Sequence, residues 1–406
     1  MPNLKDNIWK NYLLLFIQGW WFILPIFILY FQIFGISFTQ LGSLESIAAA
    51  LLFILTIPCG AFSDLISRKV SVLLGTLFTG FSMIIIGLSS SYGIFILGYI
   101  FWAIGDSFLF NARGAMMYDS VIQIGREEEY LKISGRANIF SVVSLVISGF
   151  LGPILFSVNP RLPWCLMGGL WILSSGVIIT MEEPEKQKLD YTFKNYIKKI
   201  ERGVKFTLHE KHVLWGIMFI IAMNVPLSIY NDVFSQAYLL EIGFREESFK
   251  FIFPIIYGLA SLTASQSHRI EKLLGETGSF LFIVTVHSLG LLLMGLFRVP
   301  SIILVVIVLY ISRDFRWVFA DTYINKYAKS QIRATILSIL MMVQEFILSI
   351  LYIFGGYITD IFGIHPTVLI LSGFTICASI TLILTKPKSN LNLQLQTTNQ
   401  NNHSRP

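Results

Sequence analysis

Residues 41–90 read LGSLESIAAALLFILTIPCGAFSDLISRKVSVLLGTLFTGFSMIIIGLSS. This stretch holds two apolar runs, near 42–62 and 70–89, and a short segment between them that contains Asp64, Arg68 and Lys69. Each run has about the 20 residues that an α-helix needs to cross the hydrocarbon core of a bilayer. A membrane-spanning β-strand would be roughly half as long and would alternate in polarity, which these runs do not. The stretch therefore predicts two transmembrane helices joined by a charged turn.

The rest of the chain has the same character. Of its 406 residues, 54% are hydrophobic and 13% are charged, and the mean hydropathy is +0.69. A soluble globular protein carries about 25% charged residues and has no place for so much apolar surface. The composition excludes a soluble enzyme, a disordered chain and a secreted disulfide scaffold, and it predicts an integral membrane protein. The net charge of +6 fits basic loops at a membrane surface better than a nucleic-acid-binding domain.

Twelve apolar runs are long enough to be membrane helices. They lie near 8–34, 42–62, 70–89, 93–120, 137–158, 163–181, 212–237, 251–267, 278–297, 301–325, 334–354 and 366–385. Most Lys and Arg residues fall in the two termini and in the connections that follow even-numbered runs, and such residues collect on the cytoplasmic side. We therefore expect an all-α, multi-pass protein of the cytoplasmic (inner) membrane with both termini in the cytoplasm.

The longest hydrophilic connection divides the twelve runs into two groups of six. Within it, Phe193, Ile197, Ile200 and Val204 recur at helical spacing between basic residues, which predicts an amphipathic helix on the anionic membrane surface. The Asn- and Gln-rich end of the chain is typical of disorder. The predicted parts are an N-terminal six-helix bundle (1–181), a cytoplasmic linker (182–211), a C-terminal six-helix bundle (212–385) and a disordered cytoplasmic tail (386–406).

The turn at residues 60–69 resembles the signature loop of the major facilitator superfamily, G-x-x-x-D-[RK]-x-G-[RK]-[RK]. The matching positions, which we interpret as a conformational-switch loop, are Gly60, Asp64, Arg68 and Lys69, whereas Leu65 and Ser67 depart from the pattern. Asp64 can sit at the N-terminus of another helix and accept its free amides. With its two groups of six segments, the chain is identified as a member of this superfamily. The resemblance implies two pseudo-symmetric six-helix bundles with a substrate site between them.

Two further stretches of sequence bear on the direction of transport and on the subgroup of the superfamily. Gly149, Gly152 and Pro153 in the fifth segment resemble half of the family's exporter-associated motif, G-x-x-x-G-P-x-x-G-G. They predict a bend in that helix and favour export, although a packing kink with no bearing on direction is the alternative. Residues 118–136 resemble a bacterial drug-efflux-like subgroup of the superfamily.

Charged residues inside membrane segments are costly and are kept for pairing or for function. Four carboxylates lie deep in their segments and are candidates for proton coupling: Asp106, Glu345, Asp314 and Asp232. Arg113 follows Asp106 by two helical turns and shares its face, so a fixed structural ion pair is the alternative for these two.

The resemblance implies that the first, fourth, seventh and tenth segments line a central cavity. The candidate cavity residues on these segments are Gln18, Trp21, Gln32, Asn111, Arg113, Asn224, Tyr230, Asn231, Arg313, Arg316 and Trp317. For the Trp and Tyr residues, anchoring at the lipid interface or core packing is the alternative. Aromatic rings beside a few charges suit a small, partly hydrophobic molecule.

No nucleotide-binding, metal-binding or catalytic motif is present in the sequence, so an ion gradient is the expected energy source. We expect no enzyme activity, no cofactor and no metal. The resulting prediction is a monomeric secondary active transporter that works by alternating access, with proton-coupled export (antiport) of a small molecule. A proton-coupled importer (symporter) of a nutrient is the close alternative, and a non-transporting membrane sensor on the same fold is a further one.

Overall fold

The computed structural model describes residues 4–185, 193–328 and 333–387, and these residues form helices with no strand among them. The first half contains α1 (Asp6–Gln18), α2 (Phe27–Ile33), α3 (Phe38–Leu65), α4 (Arg68–Leu88), α5 (Tyr92–Gln123), α6 (Tyr130–Val158) and α7 (Leu162–Thr180). The linker holds α8 (Phe193–His209). The second half contains α9 (Lys211–Ile229), α10 (Ser235–Glu241), α11 (Phe249–Leu296), α12 (Ile303–Tyr327), α13 (Arg333–Phe362) and α14 (Ile364–Thr385).

Nine helices among the described residues are long and apolar enough to cross a membrane. The all-helical, multi-pass fold is thereby confirmed, but this number is smaller than the twelve predicted segments. The first predicted segment is divided between α1 and α2. The eighth and ninth are both within α11, which is two helices joined by a sharp kink at Gly275 (φ 68°, ψ 174°). The tenth, α12, carries three charged residues near its middle.

The break between α1 and α2 lies against α6. A Cβ atom at Gly19 would overlap the Ser144 side chain, and a Cβ atom at Gly152 would overlap the carbonyl oxygen of Phe22. A short 3₁₀ turn, Leu24–Ile26, then follows, and its second residue is Pro25, whose ring fixes φ and suits the first turn of a helix. Close backbone packing against α6 therefore replaces the continuous helix that the apolar run predicts.

The two halves repeat one another in detail. Tyr30 donates from its hydroxyl to the carbonyl oxygen of Ile86 (2.8 Å), and Tyr238 donates to that of Met294 (3.0 Å). The second pair lies 208 positions after the first at both residues. The same hydrogen bond at the same offset supports an internal duplication of a six-helix unit.

Successive membrane segments cross the bundle in alternating directions, so the bundle has two distinct ends. At one end the start of α1 meets the ends of α5 and α7, where Asn7 Nδ2 donates to Ser120 Oγ (3.0 Å) and to the Glu182 carbonyl oxygen (2.8 Å). The end of α12 lies here too, since Lys326 pairs with Glu276, just after the Gly275 break (2.9 Å). We call this the terminal end, because the described chain starts and finishes there.

The two halves are bonded together at the opposite end. Asp360 in α13 accepts hydrogen bonds from the backbone amides of Phe38 (3.0 Å) and Thr39 (2.7 Å) at the start of α3. Gln236 in α10 accepts from the Ile28 amide (2.7 Å) and donates to the Leu24 carbonyl oxygen (2.9 Å). We call this the closed end, and it places α3 against α13 and α2 against α10.

Candidate functional site

Gln18, the last residue of α1, is a buried centre of hydrogen bonds in the first half. Its Nε2 donates to Thr76 Oγ1 (3.1 Å) and Ser174 Oγ (2.9 Å), and its Oε1 accepts from the Arg113 guanidinium. Side chains from α1, α4, α5 and α7 therefore meet at one amide. Because a buried amide has to be hydrogen-bonded, this arrangement fixes the position of Arg113.

Aromatic rings surround this arginine. The Trp21 ring lies 6.2 Å from Trp102 and 5.9 Å from Trp171 between centroids, and the Arg113 guanidinium lies 6.0 Å from the Trp171 centroid. Asp106 follows Trp102 by one turn of α5, and both Asp106 and Arg113 are partly buried. Flat apolar faces beside one acidic and one basic group form a site that can hold a partly hydrophobic molecule.

The second half contains an equivalent arginine–amide pair. Arg316 in α12 is fully buried and donates from Nη2 to Asn224 Oδ1 in α9 (2.5 Å). Its guanidinium lies 5.6 Å from the centroid of the Trp317 ring. In each half, the first membrane segment thus supplies an amide, and the fourth supplies an arginine that lies close to a Trp ring.

Asp232 belongs to a π-helical turn, Tyr230–Phe234, between α9 and α10. Such turns are rare and are frequent at functional sites. Oδ2 of Asp232 accepts from the Tyr352 hydroxyl of α13 (2.6 Å), and Oδ1 accepts from Asn231 Nδ2 (2.6 Å). The carboxylate is therefore held by two donors, one of them from a different helix.

The network continues into α12. Tyr310 donates from its hydroxyl to Asn231 Oδ1. The Arg313 guanidinium lies 4.8 Å from the centroid of the Tyr310 ring, and its Nε donates to Asp314 Oδ1 (3.0 Å). Arg313 and Asp314 thus form an ion pair between neighbours on one helix, within a network that includes Asp232.

Glu45 brings a carboxylate of the first half to the same region. Its Oε1 accepts from the Tyr99 hydroxyl (2.9 Å), and α3 packs against both the π-helical turn that carries Asp232 and the helix α13 that carries Glu345. Glu45, Asp232 and Glu345 lie on α3, the π-helical turn and α13, so this carboxylate cluster joins the two halves.

Glu45, Tyr99, Tyr310 and Tyr352 are absent from the residues that the sequence predicts for this site. The sequence alone could have indicated Glu45 as a candidate, because it is the only charged residue in the apolar run 42–62. Nothing in the sequence indicates the three tyrosines, since a Tyr in a membrane segment is equally compatible with packing.

The remaining predicted cavity residues are placed as follows. Gln32 is exposed near the end of α2. Tyr230 is fully buried and its ring packs against Phe234 and Tyr238. The side chain of Asn111 lies outside the described residues.

Comparison with known proteins identifies the fold. The family model of the Major Facilitator Superfamily matches residues 12–319. The chain belongs to the Major Facilitator Superfamily. The family predicted from the sequence is thereby confirmed, and membership indicates a membrane transporter rather than an enzyme.

Two curated members of the superfamily are similar in sequence. An uncharacterized MFS-type transporter of Methanocaldococcus jannaschii is 23% identical over 305 residues, which are 73% of this chain and 76% of that protein. Multidrug resistance protein 2 of Bacillus subtilis is 26% identical over 243 residues, which are 57% of this chain and 58% of that protein.

Solved structures of superfamily transporters share the fold. The nucleoside transporter NupG aligns over 95% of this chain and all of its own, with a TM-score of 0.77 and 13% identity. A bacterial homologue of the human lysosomal transporter Spinster, in an inward-facing and occupied conformation, aligns over 95% of this chain and 97% of its own, with a TM-score of 0.72 and 14% identity.

The superfamily signature loop lies at the terminal end and is held within the first half. Arg68 pairs with Asp119 at the end of α5 and lies 3.8 Å from Asp64. Glu183 accepts from the backbone amides of Arg68 and Lys69 (both 2.8 Å). Gly60 is buried in α3. In this conformation the loop ties α3, α4 and α5 to the segment after α7.

Gly152 and Gly149, which resemble part of the superfamily's exporter-associated motif, face the break between α1 and α2 and the second half, respectively. Gly152 meets the Phe22 backbone, and the side chain of Pro254 in α11 lies 3.4 Å from the position of a Cβ atom at Gly149. Pro153 lies inside α6, which continues past it to Val158. The two glycines therefore provide a thin surface on which the connection between α1 and α2 packs, together with α11.

Proposed function

We propose that this chain is a secondary active transporter that exports a small, partly hydrophobic molecule in exchange for protons. The two halves rock about a central site, which is the way of working typical of transporters built from repeats. The Trp21, Trp102 and Trp171 rings beside Asp106 and Arg113 form the binding surface in the first half. Asn224, Arg316 and Trp317 are the equivalent amide, arginine and aromatic ring of the second half.

The observation that carries the proposal is the carboxylate cluster of Glu45, Asp232 and Glu345. Three like charges in a region shielded from water repel one another strongly, and a bound proton removes part of that repulsion. Because α3 and α13 belong to different halves, the repulsion depends on whether the closed end is formed. Protonation then favours closure, and loss of the proton favours separation, which couples proton movement to rocking.

The proposal includes the orientation of the protein in the membrane and the direction of transport. The terminal end faces the cytoplasm, as the distribution of basic residues favours, so the described conformation is inward-facing. Gly152 and Pro153 support export, and the resemblance of residues 118–136 to drug-efflux-like transporters agrees with it. The protein works as a monomer in the inner membrane, with small-molecule substrate and protons as its partners.

The test uses purified protein in liposomes that enclose a pH-sensitive dye. A proton gradient is imposed, and a panel of lipophilic cations, antibiotics, nucleosides, sugars and amino acids is added. We expect one compound class to drive proton flux in the opposite direction to its own movement. Asp232→Asn and Glu345→Gln remove charge without changing shape, and each should reduce coupled flux at least tenfold while substrate binding is retained.

Asp321→Asn is the matched control, because Asp321 is an exposed carboxylate in α12 and should keep normal flux. Flux of substrate and protons in the same direction would support the importer instead. Substrate movement that is equally fast without a proton gradient, in wild type and both variants, would contradict proton coupling.

A further inference from the structure

We propose that an anionic phospholipid binds in a crevice of the second half, beneath the linker helix α8. The crevice has a volume of about 550 Å³, which is within the range of roughly 300–1,000 Å³ found for small-molecule sites. Its walls come from three helices and its lid from α8. The lining residues include Met218 in α9, Val343 in α13 and Phe374 in α14, together with Val204, Thr207 and Leu208 in α8.

The crevice has the length of an acyl chain segment in one leaflet. It is lined from Leu214 to Ala222 in α9, from Ile339 to Ile347 in α13, and from Phe374 to Leu382 in α14. Each stretch rises over eight residues, which is about 12 Å along a helix axis. Half of the hydrocarbon core of a bilayer is about 15 Å thick. All three stretches lie toward the terminal end of their helices, so the crevice occupies one leaflet only.

The walls are apolar, and the crevice opens sideways toward lipid. Met218 and Phe374 are both 50% exposed although they lie in the membrane-spanning part of the protein. A lipid chain can cover such side chains, whereas a polar solute would lose its hydrogen bonds to water without replacement.

The hydroxyl oxygen of Thr207 lies where the headgroup of the bound lipid would begin. Thr207 is 4% exposed, and its Oγ1 has no hydrogen-bond partner among the described residues. A buried hydroxyl without a partner is unfavourable. Thr207 lies on α8 between Val204 and Leu208, at the end of the crevice nearest the membrane surface, and its hydroxyl can donate to a glycerol ester or phosphate oxygen.

The charge of α8 selects an anionic headgroup. Lys198, Arg202 and Lys205 are exposed on α8, and Lys205 directly follows the crevice-lining residue Val204. Lys205 pairs with Glu201 (2.7 Å), and this hydrogen bond holds the pKa of that carboxyl below its ordinary value. Over its whole length α8 contains five basic residues and one acidic residue. Basic helices of this kind attract anionic lipids at a membrane surface.

Native mass spectrometry of the full-length protein tests the proposal. The protein is equilibrated with equal amounts of phosphatidylglycerol and phosphatidylcholine, and the retained lipids are counted. We expect one retained phosphatidylglycerol per protein, preferred at least fivefold. The combined substitution Lys198→Gln, Arg202→Gln and Lys205→Gln should abolish the preference, and Thr207→Val should weaken retention about threefold.

Ala378→Trp fills the crevice from α14 and should displace the lipid. Its matched control is Leu173→Trp in α7, at a position that is 72% exposed on the first half, and that variant should retain the lipid. Equal retention of the two lipids by wild type would overturn the proposal. Unchanged selectivity in the triple charge variant, which changes only exposed side chains, would overturn it as well.

Discussion

Two carboxylates cap helix N-termini at opposite ends of this molecule. Glu183 accepts from the first two backbone amides of α4 (2.8 Å each), and both partners belong to the first half. Asp360 accepts from the first two backbone amides of α3 (3.0 and 2.7 Å), but it comes from the second half. Both satisfy amides that a helix leaves without partners, and both carry the negative charge that the helix N-terminus favours.

The difference between the two caps is which parts of the chain they join. Separation of the halves at the closed end has to break the Asp360 cap, whereas the Glu183 cap moves with its half and stays intact. We call the Asp360 cap the latch, because it joins the two halves at the closed end. We call the Glu183 cap the support, because both of its partners belong to the first half. Spin labels on the exposed residues Ile33 in α2 and Phe362 in α13 report on this difference. The distance between them is short when the halves are joined at the closed end and long when the halves separate there.

The largest effect is expected at Gly356, where α13 packs tightly against the start of α3. A Cβ atom there would overlap the carbonyl oxygen of Phe38, and a backbone atom of α3 cannot move aside without moving the helix. In Gly356→Val the closed end should fail to form, so that the long label distance dominates and transport falls more than tenfold.

Gly373→Val is the control for this substitution, because Gly373 of α14 has open space around it. It should leave both the label distance and transport unchanged. A short label distance in Gly356→Val would mean that the contact between α3 and α13 does not define the closed end.

A smaller effect is expected from Asp360→Ala. Loss of a helix cap costs about 1 kcal/mol, which corresponds to roughly a fivefold shift toward the long label distance. Asp360→Asn keeps an acceptor and loses the charge, so its shift should be intermediate. Because Asp360 is exposed, high salt should weaken the latch in wild type and leave Asp360→Ala unaffected. Equal salt dependence in the two proteins would contradict this role.

The sequence predicts most of the helices, because a membrane imposes their length. The run 70–89 corresponds to α4 at Arg68–Leu88, and the basic periodic stretch of the linker corresponds to α8. No pattern in the sequence predicts the break between α1 and α2. It depends on Gly19 and Gly152 meeting partners on other helices, and these contacts exist only in the folded bundle.

The site was predictable in its residue types rather than in its pairings. Asp232 and Arg113 are visible as charges inside apolar runs, but Tyr352 and Gln18 become their partners only through packing between helices. Helix capping by an aspartate was also predicted, for Asp64. Asp64 lies 3.8 Å from Arg68, and Glu183 and Asp360 cap α4 and α3. Glu183 and Asp360 lie at the ends of apolar segments, where a charge is ordinary and gives no signal.

The smallest effect on the closed end is expected from Glu183→Ala. The substitution removes the acceptor for the Arg68 and Lys69 amides and also for Ser67 Oγ (2.6 Å), so the first half should lose about 1 kcal/mol of stability. Thermal unfolding should begin at a lower temperature than in wild type or in the control Glu182→Ala, whose side chain is exposed. The label distance between Ile33 and Phe362 should stay short, because no bond between the halves is lost. A shift as large as that of Asp360→Ala would show that the terminal end also controls closure, and the distinction between latch and support would then fail.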